Sequence, residues 1–125
     1  MEDKINFTWK QFDQGCYYLA KQILKSKERF HSIYGIPRGG IMVAVRLSHI
    51  LNLPILLDNP FPFKQEHVLI CDDISDSGKT LIPYKSAGYK IATLHYRNVS
   101  EIKPDFFYSY VAHKKWINYS WEEKI

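Results

Sequence analysis

The sequence is constrained most by a short apolar run that ends in acidic residues and leads into a small polar loop. Val68 to Cys71 are apolar and β-prone, as in a buried parallel strand. Asp72 and Asp73 follow directly, at the strand end where open α/β sheets hold their ligands. Asp76-Ser-Gly-Lys-Thr80 comes next, and its backbone N–H groups, hydroxyls and ammonium suit a phosphate at the start of a helix. The sequence therefore predicts a sugar-phosphate site.

The Gly78-Lys79-Thr80 triplet also occurs in P-loops, whose pattern is G-x-x-x-x-G-K-[ST]. The first glycine of that pattern is replaced here by Asp73, and Asp72 adds a second carboxylate. Like charges about 4 Å apart cost on the order of 1 kcal/mol even when well screened, and more at partial burial. The spacing therefore argues against a P-loop that cradles a triphosphate.

The length and charge of the chain limit the classes of protein it can belong to. Its 125 residues, 46% of them hydrophobic, suffice for one domain but not for two, so residues 1–125 are predicted to form a single domain. The net charge of +4 is spread along the chain rather than gathered in a stripe, and no nucleic-acid partner is expected. No apolar run approaches the roughly 20 residues that a membrane span needs. We therefore expect a cytoplasmic protein without a membrane span.

The cysteines and histidines carry no recognisable metal motif. Cys16 and Cys71 lie far apart without a C-x-x-C spacing, so buried free thiols in a reducing cytoplasm are expected. The five histidines form neither H-E-x-x-H nor a Cys/His cluster, and a zinc site built by the protein alone is not expected.

Helical and strand patterns alternate along the chain. Thr8 and Gln11 have the form of a capping box, and apolar residues at helical spacing predict a first helix over about 9–26. Further helices are predicted over about 41–51 and 79–87, the last with Pro83 in its first turn and Gly88 as C-cap. Strands are predicted over about 30–36, 54–57, 68–71, 89–95 and 105–111. The alternation predicts an α/β fold, a single three-layer domain with a mostly parallel central sheet.

Three aspartates within five residues favour a ligand site over simple capping of turns. Asp72 and Asp73 can accept hydrogen bonds from the vicinal hydroxyls of a ribose, with a divalent cation sharing the ligand's other oxygens. Asp76, at the mouth of the phosphate loop, can exchange a proton with a group attached to that ribose. A lone aspartate in a loop is more often a turn residue. A phosphatase is disfavoured because Ser77-Gly-Lys-Thr80 follows the carboxylates so closely.

Three segments resemble a known family. Ile70-Cys-Asp-Asp-Ile-Ser-Asp-Ser-Gly-Lys-Thr80 closely resembles the phosphoribosyl-pyrophosphate motif of type I phosphoribosyltransferases. Tyr34-Gly-Ile-Pro-Arg-Gly-Gly40 resembles the loop by which the purine-salvage members hold pyrophosphate. Lys115-Trp-Ile-Asn-Tyr-Ser-Trp-Glu122 resembles the C-terminal hood of bacterial xanthine-guanine phosphoribosyltransferases, and Phe7-Thr-Trp9 is similar to their start. The chain is thereby identified as a member of this family, which implies its fold with a small C-terminal hood.

The resemblance assigns a role to each part of the predicted site. It implies that Asp72 and Asp73 hold the ribose hydroxyls, with Asp73 nearest a Mg²⁺ ion, and that Asp76 faces the imidazole nitrogen of a purine as the acid/base group. Arg38 and Gly39 would hold the pyrophosphate, since Arg38 offers charge and several donors and Gly39 allows a close backbone approach. The 5′-phosphate would be held by four residues of the loop, Ser77, Gly78, Lys79 and Thr80.

The resemblance also implies a purine subsite. Arg97 stands where the family usually has a Lys that contacts the exocyclic oxygen of the base, and Arg is a donor there, though not an equivalent one. Trp116 would stack on the base, a contact worth roughly 1–3 kcal/mol in nucleic-acid binders. Ile117 would present backbone groups to the base edge. Trp121 is expected to serve packing rather than contact.

The implied activity is Mg²⁺-dependent transfer of the 5-phosphoribosyl group from phosphoribosyl pyrophosphate to a 6-oxopurine (guanine, xanthine or hypoxanthine), by a homodimer or homotetramer. One departure from the family pattern favours an alternative to this activity. The family usually has a long flexible loop that closes over the reaction, whereas only about Asp58 to Glu66 is available here, and Lys64 is its one candidate for a pyrophosphate contact. A weakly catalytic or non-catalytic regulator that binds phosphoribosyl pyrophosphate or a nucleotide is therefore the second hypothesis.

Overall fold

The computed structural model describes residues 4–61, 67–112 and 115–125. Its helices are α1 (Trp9–Ser26), α2 (Gly39–Leu51) and α3 (Ile82–Ser86). Its strands are β1 (Lys4–Phe7), β2 (Ser32–Gly35), β3 (Val68–Ser75), β4 (Lys90–Arg97), β5 (Phe106–Val111) and β6 (Trp116–Tyr119). A short 3-10 helix, Ser120–Glu122, follows β6.

The central sheet is parallel throughout, with strand order β2-β3-β4-β5. Side chains of β3 alternate between its two faces. Leu69 and Cys71 join the apolar cluster beneath α1 and α2, whereas Ile70 joins the cluster that contains Tyr84 of α3. Helices thus cover both faces of the sheet, which confirms the predicted three-layer α/β fold.

The first helix forms where its capping residues predict it. The Thr8 backbone N–H donates to Gln11 Oε1 at 2.9 Å, and the Gln11 N–H donates to Thr8 Oγ1 at 3.1 Å, which completes the capping box. The buried face of α1 includes Phe12, Leu19 and Ile23. The helix ends at Lys27, whose φ of 64° is left-handed.

The hood is a separate parallel pair made by the first and last strands. β1 pairs with β6, and Lys4 lies opposite Trp116 in the register. Asn118 Nδ2 donates to Asn6 Oδ1 at 3.1 Å, and Ser120 Oγ donates to the Phe7 carbonyl at 2.8 Å. The hood was predicted, but β1 was not, because the alternation of Lys4-Ile5-Asn6-Phe7 spans only four residues and its partner strand lies at the other end of the sequence.

Three predicted elements have different bounds in the structure. The predicted strand over 54–57 is wrong, since Ile55 makes only an isolated bridge to Ile33 and Leu57 is 90% exposed. β3 continues to Ser75, so Asp72 and Asp73 lie within the strand instead of after it. The predicted helix over 79–87 is too long, since residues 79–81 form a turn after the left-handed Gly78 (φ 90°) and α3 begins only at Ile82.

The remaining element predictions hold with small shifts in their ends. Pro83 lies in the first turn of α3, as predicted. The C-cap of α3 is Ala87, one position before the predicted Gly88, and Gly88 follows it with a left-handed φ of 92°. Cys16 and Cys71 are buried free thiols, and burial raises the pKa of Cys16 to about 12. No helix in the described parts of the chain is long and apolar enough to cross a membrane.

Candidate functional site

Asp72 and Asp73 are half-buried neighbours near the carboxyl end of β3. Asp72 Oδ1 accepts a hydrogen bond from the Asp73 N–H, and Asp73 Oδ1 accepts one from the Ile74 N–H, both at 2.9 Å. Burial raises the pKa of Asp72, and the charge of Asp73 raises it further. Burial also raises the pKa of Asp73, against the opposing effect of its hydrogen bonds. The pair is therefore a site where a cation or a hydroxyl ligand would offset a cost of burial.

The Gly39 backbone packs directly against Asp73. A Cβ at Gly39 would overlap the Asp73 carboxylate, and a Cβ at Gly40 would overlap the Cys71 carbonyl. Gly40 N donates to the Ile36 carbonyl at 2.8 Å, which fixes the turn into α2. The predicted pyrophosphate loop and the predicted ribose carboxylates are thus adjacent. Only glycine at position 39 allows the backbone to approach Asp73 so closely.

Arg38 extends from this turn as an exposed side chain. Its peptide bond to Pro37 is cis. No other side chain in the described ranges pairs with its guanidinium. Arg38 is therefore available to an anionic ligand beside Asp73.

The predicted phosphate loop is held from the side by the segment that follows β4. Glu101 N donates to the Ser77 carbonyl at 3.0 Å. Ser75 Oγ lies 2.7 Å from Ser100 Oγ and donates to the Ile102 carbonyl at 2.6 Å. A Cβ at Gly78 would lie only 2.9 Å from Ile102 N. The loop backbone is thus fixed while the side chains of Ser77, Lys79 and Thr80 stay exposed.

A cavity of about 150 Å³ separates this loop from the hood. Five residues predicted for the site line it: Asp73, Asp76, Arg97, Trp116 and Ile117. Trp116 is 58% exposed, so its ring is open to a ligand, whereas Ile117 is buried. A cavity of this size suits a flat bicyclic base, and it is smaller than a site for a whole nucleotide.

Arg97 connects the two sides of the cavity. Its Nε donates to Asp76 Oδ1 at 2.7 Å, and its Nη1 donates to the carbonyls of Ala112 and Lys115 at 3.0 and 2.6 Å. The Arg97 side chain is 8% exposed and that of Asp76 61%. Arg97 is the last residue of β4, two positions beyond the predicted end of that strand at residue 95.

A second polar contact ties the hood to the sheet. The Tyr119 hydroxyl lies 2.8 Å from His95 Nδ1 and donates to the Asp73 carbonyl at 3.4 Å. Burial, followed by the charge of Arg97, lowers the pKa of His95 to about 4. His95 is therefore neutral at physiological pH and serves as a hydrogen-bonding partner beneath the cavity.

The donor set fits Mg²⁺ only with help from a substrate. Within the described ranges, no group of three or more His, Cys, Asp or Glu side chains is arranged to hold a metal ion. Mg²⁺ is commonly bound by one or two carboxylates while substrate phosphates and water complete its coordination. Asp72 and Asp73 match that chemistry.

The predicted site residues thus fall into three neighbouring groups. Gly39 touches Asp73, the phosphate loop follows Asp76, and the cavity joins Asp76 to Trp116. Lys64 and most of the short loop lie outside the described residues, so the prediction for Lys64 is untested.

Several residues of the site were missed by sequence reasoning. Ile74, Tyr119 and Glu122 line the cavity, and Ser75 and Ser100 support the phosphate loop. Ile74 is the one with a local signal, since it lies between Asp73 and Asp76 in the motif. The others depend on contacts between distant segments.

Comparison with known proteins gives no match among models of protein families and none among curated proteins. Among solved structures, a purine phosphoribosyltransferase from Pyrococcus horikoshii is 33% identical, with a TM-score of 0.79, over 98% of this chain and 96% of that chain. A Helicobacter pylori xanthine-guanine-hypoxanthine phosphoribosyltransferase is 21% identical, with a TM-score of 0.81, over 98% and 94% of the two chains. A hypothetical protein from Neisseria gonorrhoeae with bound ppGpp is 23% identical, with a TM-score of 0.78, over 98% and 91%.

The second and third of these similarities show the fold alone. The first joins 33% identity to nearly complete coverage of both chains. It agrees with the three sequence motifs and with the packing of the predicted pyrophosphate loop against Asp73. This chain therefore belongs to the purine phosphoribosyltransferases of the type I fold.

Proposed function

We propose that this protein transfers the 5-phosphoribosyl group from phosphoribosyl pyrophosphate to a 6-oxopurine, with Mg²⁺. The observation that carries the proposal is the cavity that Asp76, Arg97 and Trp116 line together with Asp73 of β3. Trp116 gives the cavity an exposed aromatic ring, which suits a purine, and Asp76 and Arg97 add a carboxylate and a guanidinium to its lining.

In the proposed reaction, a bond forms between a purine ring nitrogen and the anomeric carbon while the bond from that carbon to pyrophosphate breaks. The purine loses the proton on its other imidazole nitrogen, and Asp76 accepts it. The ribose hydroxyls donate to the carboxylates of Asp72 and Asp73. Arg38 stabilises the charge on the departing pyrophosphate, and such a preorganised donor is typically worth about 3–4 kcal/mol. A Mg²⁺ ion held by Asp73 would supply further positive charge there.

The test supplies the protein with phosphoribosyl pyrophosphate, Mg²⁺ and, in turn, guanine, xanthine, hypoxanthine and adenine. Nucleoside monophosphate and pyrophosphate should appear in equal amounts with at least one 6-oxopurine. Asp73→Ala should abolish the Mg²⁺-dependent turnover. Normal nucleotide formation by that variant would contradict the role given to Asp73.

A nucleotide-binding regulator of the same fold is the second candidate. It is favoured by the short connection at Asp58 to Glu66, since poor closure admits water to the reaction. Tight binding of phosphoribosyl pyrophosphate without any nucleotide product would support it. The preferred base, the homodimer or homotetramer and the cytoplasmic location stay predictions.

A further inference from the structure

Arg97 is nearly buried, yet it makes at least three hydrogen bonds to three different segments. A buried guanidinium is tolerated only when its donors are satisfied. Here the partners are one side chain, Asp76, and two backbone carbonyls, of Ala112 and Lys115. These donors of Arg97 therefore bind acceptors of the protein itself.

The partners of these hydrogen bonds belong to different segments of the candidate site. Asp76 begins the phosphate loop, Ala112 directly follows β5, and Lys115 directly precedes Trp116. One planar group thus connects the proposed proton acceptor to the residue that introduces the stacking tryptophan. A flexible point charge would not fix both distances, whereas the rigid fork of Arg does.

We propose that Arg97 is a positioning residue, which fixes the position of Asp76 relative to the start of β6 so that a purine binds between them. This inference rests on the proposed function for the meaning of Asp76, but its geometry does not depend on turnover. It goes beyond a direct contact between Arg97 and the base, because it assigns the main effect of Arg97 to Asp76 and to the hood.

Arg97→Met removes the donors at similar side-chain length, and Arg97→Lys keeps the charge without the fork. Each variant is measured in three ways: hydrogen exchange of the β6 backbone amides, steady-state kinetics with each substrate varied, and direct binding of GMP. The matched control is Arg46→Met, because Arg46 also pairs with an aspartate, Asp13 at 2.5 Å, but between α1 and α2.

We expect Arg97→Met to speed the exchange of the β6 amides and to lower kcat about 10- to 100-fold, as for the loss of a charged hydrogen-bond partner. The KM for phosphoribosyl pyrophosphate should change less than about twofold, because the carboxylates of β3 are untouched. Arg97→Lys should fold like the wild type, but it should recover only part of the kcat that Arg97→Met loses. Arg46→Met should leave kcat and the exchange of β6 unchanged.

Two outcomes would overturn the inference. If β6 exchange is unchanged in both variants while the purine KM rises and kcat is kept, Arg97 acts as a direct donor to the base. If Arg97→Lys matches the wild type in exchange and kcat, the fork is not needed. Should the wild-type protein make no nucleotide, the proposed function fails, whereas exchange and GMP binding still decide the role of Arg97.

Discussion

At the scale of single residues, the carboxyls of Asp72 and Asp73 give the ligand-free protein a specific pH dependence. Their pKa values are raised in the folded state, so the folded protein keeps protons that the unfolded chain releases above about pH 4. Stability should therefore fall as the pH rises, by at most about 1.4 kcal/mol per pH unit for one proton. Thermal midpoints between about pH 7 and pH 8, the raised pKa of Asp72, should fall less steeply in Asp72→Asn than in the wild type.

The titration of His95 is the reason to compare the thermal midpoints above neutral pH. Its pKa is lowered to about 4, so its contribution to stability is lost as the pH falls from about 6.5, with the opposite sign. Between about pH 4 and pH 6.5, the effects of His95 and of the carboxyls on stability oppose each other. Equal slopes for the wild type and Asp72→Asn between about pH 7 and pH 8 would contradict the assignment to the carboxyl pair.

The two hood tryptophans should separate binding from packing. Trp116 is 58% exposed, so Trp116→Ala should leave the thermal midpoint nearly unchanged. It should raise the purine KM about 5- to 150-fold, which corresponds to a stack worth roughly 1–3 kcal/mol. Trp121 stacks on Tyr119 with ring centroids 4.7 Å apart and contacts Phe12, so Trp121→Ala should lower the midpoint instead. Similar effects of both variants on the midpoint would contradict this division.

At the scale of elements, the phosphate loop depends on its support from the segment after β4. Ser75 is fully buried, and Ser75→Ala removes its bonds to Ser100 and to the Ile102 carbonyl. The loss should cost about 1–3 kcal/mol of stability and raise the KM for phosphoribosyl pyrophosphate. Chemical denaturation and steady-state kinetics measure the two effects.

Ser120→Ala is the matched control for this prediction. Its hydroxyl also donates to a carbonyl, that of Phe7 at 2.8 Å, but within the hood. It should affect the purine KM and leave the KM for phosphoribosyl pyrophosphate unchanged. An equal rise in the KM for phosphoribosyl pyrophosphate in both variants would show that Ser75 does not act through the loop.

Elements with local signals were predictable from sequence. The capping box at Thr8 and the helical spacing gave the bounds of α1, and the motif after Val68 gave Asp76 and its loop. β1 and the bridge at Ile55 were not predictable, since short segments acquire strand geometry only from distant partners. The support of the loop by Ser100 and the link from Arg97 to Lys115 are non-local for the same reason.

At the scale of the whole molecule, the central sheet and the hood should differ in local stability. β3 is flanked by strands on both sides and its apolar residues are buried, whereas β1 and β6 form a two-stranded pair with several exposed side chains. Native-state hydrogen exchange should therefore be faster in β6 than in β3. A bound purine nucleotide should slow exchange in β6 more than in β3. Equal protection of the two strands without ligand would contradict a separately opening hood.

The parallel pairing of β1 with β6 has a consequence for synthesis on the ribosome. Asn6 and Asn118, which bond to each other, are separated by 112 positions, so β1 must wait for nearly all of the described chain before it finds its partner. The strands of the central sheet emerge earlier and pair in sequence order. A nascent chain can therefore assemble the carboxylates and the predicted phosphate loop first, and the cavity beside Trp116 closes last.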